Sequence, residues 1–312
     1  METVISIIYN VGILFIMMIP GIIMKKCRLC PDGFGKGISN LVLYIGQPAL
    51  IFLAYLKEFS TEVLINSLIV LLLSVIAHAV FLLALLFYRK ANEDRRRMFR
   101  FATIFSNAAF MGIPLITAVL GAEYTIYASI YNITFNMFLW TLGVHICTDN
   151  NTLDDGTVLK RQASVKKAIL HPVTLAAALG LVFFVLPIHT YVPEIADESL
   201  TMIANLVAPL SMLVLGLRIA DINFRGFFND KNLYVFLALR HIVLPALVFA
   251  ALFALKLAGL PITKECFQVV IIMASAPAAS SATMFAEKYD CDAAFVSKLV
   301  ALSTILSILT MP

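Results

Sequence analysis

The chain is built of apolar runs of roughly twenty residues, each closed by a short polar stretch. A hydrocarbon core of about 30 Å takes about 20 mainly apolar residues per helix. On that rule ten spans are predicted, near 4–24, 37–56, 63–88, 99–121, 125–147, 168–187, 199–219, 233–255, 266–286 and 293–311. Two of them are interrupted. The run from Phe101 to Tyr124 carries Gly112, Ile113 and Pro114 near its centre, with Ser106, Asn107 and Thr117 around them. The run from Phe267 to Tyr289 carries Pro277, flanked by Ser275, Ser280, Ser281 and Thr283. Proline lacks an N–H and its ring strikes the carbonyl one turn back, so both helices are expected to break or kink at their prolines. Broken backbone at membrane depth is stable only inside protein or beside a water-filled cavity. Interrupted spans at matching places in two halves point to a transporter's binding site.

Composition and charge sharpen this picture. The 312 residues are 61% hydrophobic and 13% charged, against about 25% charged in a soluble domain. A polytopic membrane protein is predicted, with the lipid bilayer as its solvent. A net charge of +4 spread over loops gives no sign of a nucleic-acid partner. Basic residues fall in alternate loops: Lys25, Lys26, Arg28 and Lys36 after the first span, and Arg89 to Arg100 after the third. Lys160 to Lys167 follow the fifth span, Arg218, Arg225 and Lys231 the seventh, and Lys288 and Lys298 the ninth. Lys and Arg loops stay cytoplasmic, so both termini are expected outside, in the plasma membrane (the inner membrane of a bacterium). Glu2 stands where a signal peptide has basic residues, so the first span is expected to be retained.

Five spans per half is an odd number, so the second half enters from the opposite side. Pro48 and Pro209, Pro114 and Pro277, and Glu123 and Glu287 fall at nearly one offset. The expected division is a first five-helix repeat at 1–148, a cytoplasmic connector at 149–167 and a second, inverted repeat at 168–312.

All 19 acidic residues lie in loops or at span ends, whereas ion pumps usually carry a carboxylate within the membrane. A site here would be made of neutral dipoles. The half-helix after each proline presents the positive end of its dipole, which favours an anion such as a carboxylate. Candidate contacts are Asn107, Gly112, Ile113, Pro114, Ser275, Pro277, Ser280, Ser281 and Thr283. Asn132 and Asn136, four apart and therefore on one helix face, join them. The competing reading is that small residues here simply let helices approach closely. Candidates for coupling or gating are His78, Gln47, Glu123 and Glu287. For His78 a neutral ring bonded to a neighbouring helix is expected ahead of a titrating one. Arg240 is expected to snorkel towards the cytoplasmic surface. The five cysteines are scattered, and Cys27-x-x-Cys30 is a lone pair, so neither a metal site nor a disulfide framework is predicted. No cofactor is expected.

The stretches SNAAFMGIPLITAVLGAEY, VAPLSMLVLGLRIA and APAASSATMFAEKYDCDAAFVSKLVALSTILSILTMP resemble the auxin efflux carrier family of membrane transporters, in its bacterial branch. The resemblance implies an all-α membrane protein of ten transmembrane helices. These form two inverted five-helix repeats whose fourth helices are broken and cross, a fold shared with bile acid symporters and sodium/proton antiporters. It implies a scaffold from the first two helices of each repeat (about 4–56 and 168–219) and a transport part from the rest (about 63–147 and 233–311). It also implies a small organic acid as substrate and, as in plant members, a homodimer through the scaffold. The expected function is a secondary carrier or facilitator of a small organic anion, working by alternating access. A Na+- or H+-coupled symporter or antiporter is the second reading. An intramembrane enzyme or ligand sensor is the third, and no paired carboxylate or H-E-x-x-H motif supports it.

Overall fold

The computed structural model describes residues 2–31, 33–148, 165–220, 227–289 and 291–311. Regular structure among them is entirely helical. Six helical runs are long and apolar enough to cross a membrane: α1 (Ile8–Lys26), α2 (Phe34–Tyr55), α3 (Thr61–Leu86), and, further on, Glu194–Ala220, Lys231–Leu257 and Ala293–Thr310. Between them lie α4 (Glu93–Ile104), α5 (Ala108–Val119), α6 (125–148) and α7 (Pro172–Val185). Further helices are α8 (Glu194–Ala220), α9 (Lys231–Leu257), α10 (Lys264–Ser275), α11 (Ser281–Lys288) and α12 (Ala293–Thr310). Of the connector expected at 149–167, residues 149–164 lie outside the described residues, as does Arg225.

Short polar residues set where helices begin. Ser60, Asn92, Thr263 and Asp292 each accept a hydrogen bond from a backbone N–H of the first turn they precede. Each satisfies a donor that a helix start leaves bare.

Prolines act differently from the sequence-based expectation. Three π-helical turns, Val42–Gly46, Ala108–Gly112 and Leu239–Val243, each end just before a proline: Pro48, Pro114 and Pro245. A wider turn takes the carbonyl that the proline ring would strike and that has lost its donor. These helices therefore continue through their prolines. The fourth π turn, Leu139–Gly143, has no proline behind it. There Thr141 donates to the Met137 carbonyl at 2.6 Å, a back-bond that loosens a helix.

The expected break at Pro114 is accordingly displaced. The chain leaves helix at Phe105–Asn107, about two turns before Pro114, and resumes as α5. In the second interrupted run Pro277 does lie in the break, between α10 and α11.

Helix α1 packs through Ile19–Lys26 on Val207–Ala220 of α8, and α2 packs through Gln47–Tyr55 on α7. Two glycines permit the first contact: a Cβ on Gly21 would overlap the Leu213 carbonyl, and one on Gly216 the Met18 carbonyl. Helix α3 packs on α6, with Ser74 and Thr134 hydroxyls bonded at 2.7 Å between them. Large apolar side chains such as Leu68, Leu72, Ile242, Phe249 and Phe253 point outward, as a lipid-facing surface requires.

Candidate functional site

The two breaks meet. Asn107 N–H donates to the Pro277 carbonyl at 2.7 Å, and Ala279 N–H donates to the Phe105 carbonyl at 2.8 Å. This is an antiparallel bridge pairing Ser106 with Ala278. Backbone that no helix can satisfy is thus satisfied by the other break. Ala278 N–H goes instead to the Ser303 hydroxyl of α12 at 2.9 Å, and Ser303 in turn meets His241 Nε2 at 2.8 Å.

Helices α4 and α10 end at this meeting point, so their negative dipole ends converge. Arg240 covers them. Its side chain is fully buried. Nε donates to the Ala276 carbonyl at 3.1 Å, Nη1 to the Thr103 carbonyl at 3.1 Å, and Nη2 to the Ala274 carbonyl at 2.9 Å and to Ala276. Phe81 lies beneath the guanidinium, 5.1 Å from its carbon. The snorkelling expected for Arg240 is therefore replaced by a central role. The π turn Leu239–Val243 is what turns both Arg240 and His241 inward: both are buried although adjacent.

Helices α5 and α11 begin at the same point, and their first turns face a cavity of about 620 Å³. Its lining includes Lys25, Cys30 and Lys36 around the connection of α1 and α2, with Arg218, His171 and Lys298, and Asn107, Ser280 and Ser281. Among the described residues its charged lining is Lys25, Lys36, Arg218 and Lys298 against the carboxylate of Glu287. Several lining polar atoms have no hydrogen-bond partner among the described residues. They include Gln47 Oε1, Ser106 Oγ, Asn107 Nδ2, Asn132 Oδ1, Ser280 Oγ and Ser281 Oγ. A buried polar atom left unbonded costs about 1–3 kcal/mol, so this wall offers donors and acceptors to whatever enters.

The sequence-predicted residues divide. Gln47, Asn107, Asn132, Asn136, Ser280, Ser281, Thr283 and Glu287 line the cavity. Gln47 Nε2 also donates to the Ala109 carbonyl at 2.6 Å, and Asn136 Nδ2 to the Asn132 carbonyl at 2.9 Å. Thr283 meets the Ser297 hydroxyl at 3.1 Å. Gly112, Ile113, Pro114, Ser275 and Pro277 are not in that lining. Gly112 has a packing reason: a Cβ there would stand 2.6 Å from Met273 Sδ of α10. Ile113 and Pro114 are buried in the same interface region. His78 is buried away from the cavity, its Nδ1 2.7 Å from the Ser74 carbonyl of its own helix and its ring stacked on Phe138. Glu123 is exposed, and its backbone carbonyl accepts from Lys57 at 3.3 Å. Arg218 was read from sequence only as one more cytoplasmic cation. Its Nη1 donates to the Ser280 carbonyl at 2.7 Å, reaching from α8 to the second break. Its place directly after the small, apolar run of α8 was the available signal.

A helical, multi-pass membrane protein with two broken helices bridged beside a cavity that carries polar and basic side chains in its wall has the construction of a membrane transporter. Residues 6–312 match the family described as membrane transport protein, and the chain belongs to that family, which includes the auxin efflux carriers. It is similar to an uncharacterized transporter of Methanothermobacter thermautotrophicus, 24% identical over 100% of this chain and 96% of the relative. It is also similar to an uncharacterized transporter of Methanocaldococcus jannaschii, 23% identical over 96% of this chain and 94% of the relative. Both relatives are archaeal, so the bacterial branch rests on the motifs alone. The protein is a transporter and not an enzyme.

Proposed function

We propose that this transporter is a secondary carrier of a small organic anion, a carboxylate or an auxin-like acid, moving it across the cell membrane by alternating access. The observation that carries this reading is the cavity wall: unbonded amide and hydroxyl groups at the starts of α5 and α11, under a lining that among the described residues has four cations and one carboxylate. Each helix start supplies about half a positive charge, and helix starts are natural anion sites. In the same reading the chain is ten spans in two inverted repeats. The bridge of Ser106 with Ala278 supports this, since it joins the two interrupted runs in opposite directions. The packing of α1 on α8 and α2 on α7 supports a scaffold apart from the crossed helices. The cavity lining includes Lys25, Lys36 and Lys298, in or beside the basic loops, and such loops stay cytoplasmic, so in this reading the cavity faces the inside and both termini are outside.

The test is uptake of labelled mono- and dicarboxylates into proteoliposomes of the purified chain. Saturable uptake of a carboxylate, competed by unlabelled anions and absent from empty liposomes, is the expected result. Uptake of cations or neutral amines without any carboxylate flux would overturn the proposal.

A further inference from the structure

Broken helices in ion-coupled transporters commonly use the carbonyls of their unwound segments and C-terminal ends to hold Na+. In this protein several of those carbonyls are already taken. The C-terminal ends of α4 and α10 carry about half a negative charge each, and the single guanidinium of Arg240 carries one positive charge. Its N–H groups reach Thr103, Ala274 and Ala276, one carbonyl of the first interrupted run and two of the second. Arginine keeps its proton in proteins, so this charge does not come and go. Among the described residues no group of three His, Cys, Asp or Glu stands together to hold a cation elsewhere.

We infer that Arg240 is a tethered cation standing where a coupling sodium ion would otherwise bind, so that the crossing is held without bound Na+. The matching N-terminal ends of α5 and α11 keep their positive field for the cavity. Arg240 touches no cavity atom and acts as a positioning residue: it joins both breaks through their carbonyls. The ion-site inference stands on its own geometry; only its consequence, flux independent of a Na+ gradient, rests on the carrier reading.

The experiment is a melting-temperature comparison of the purified full-length chain in NaCl, KCl and choline chloride at equal ionic strength. The native protein is expected to melt at one temperature in all three. A Na+-specific stabilisation of several degrees overturns the inference, whatever the substrate proves to be. Arg240→Ala opens the carbonyl cluster. It is expected to melt lower, to be partly restored by low-millimolar guanidinium, which leaves the native protein unmoved, and to gain stability from Na+ over choline. A folded Arg240→Ala protein that responds to neither cation would show Arg240 to be packing only, and overturns the inference. Should that variant fail to fold, Arg240→Lys decides: a point charge in the same place is expected to fold and to remain indifferent to Na+, and a Na+-dependent Arg240→Lys protein counts against the inference.

Discussion

Arg218 offers the sharpest perturbation of the site. Among the cavity-lining cations it is the one bonded to the second break, its Nη1 2.7 Å from the Ser280 carbonyl, and it lines the cavity at the start of α11. A carboxylate beside Ser280 would stand within one side-chain length of this guanidinium. Two unit charges about 4 Å apart at an effective dielectric constant of about 20 attract by about 4 kcal/mol. Because the side chain is only partly buried, solvent takes much of this back. A charge-assisted hydrogen bond nets about 1.5–3 kcal/mol, or about 10- to 100-fold in affinity. Arg218→Ala is therefore expected to raise the apparent KM for carboxylate uptake by that factor in proteoliposomes. Arg218→Lys should fall between, since lysine keeps the charge and loses the planar fork. Affinity of the native protein should weaken as salt screens the cavity mouth, and the Arg218→Ala protein should show a shallower slope. An Arg218→Ala protein with unchanged KM and unchanged salt dependence would refute the reasoning.

Two further outcomes follow from separate parts of the molecule. Pro114→Ala should leave the apparent KM for carboxylate unchanged, because Pro114 shapes a π turn and the break lies at Phe105–Asn107. Asn107→Ala should raise that KM about tenfold, the equivalent of one hydrogen bond of about 1.4 kcal/mol; equal effects in uptake kinetics would contradict this. Gly216→Val drives a side chain into the Met18 carbonyl of α1 and should destabilise the protein by more than the usual overpacking cost of about 1–3 kcal/mol, read as a lower melting temperature. Gly12→Ala, with open space around it, should melt no lower than the native protein.

The interrupted runs were legible because two long apolar stretches each hold hydroxyls, amides and a proline, which lipid does not tolerate without a purpose. Where the backbone breaks was less legible. A proline marks lost hydrogen bonding but not how the chain absorbs it, and at Pro114 a widened turn absorbed it while the break opened upstream. Asn107, Ser280 and Ser281 stood out as polar residues in apolar surroundings, and the cavity lining includes them. Arg240 was misread for a physical reason. A lone arginine near a span end usually reaches for water, and its true partners, Thr103, Ala274 and Ala276, come near it only through the folded crossing. Gly112 looked like part of a binding loop, yet its missing side chain makes room for Met273 of another helix, a contact no local pattern announces.

The most direct test of the central claim, that the starts of α5 and α11 hold a negative charge, is a thermal-shift titration of the purified protein with malonate and with malonamide. The two have the same shape and differ in charge. Malonate should raise the melting temperature saturably, malonamide should not, and Asn107→Ala together with Ser281→Ala should abolish the response. Equal shifts by both molecules, or a malonate response untouched by those substitutions, would contradict the account.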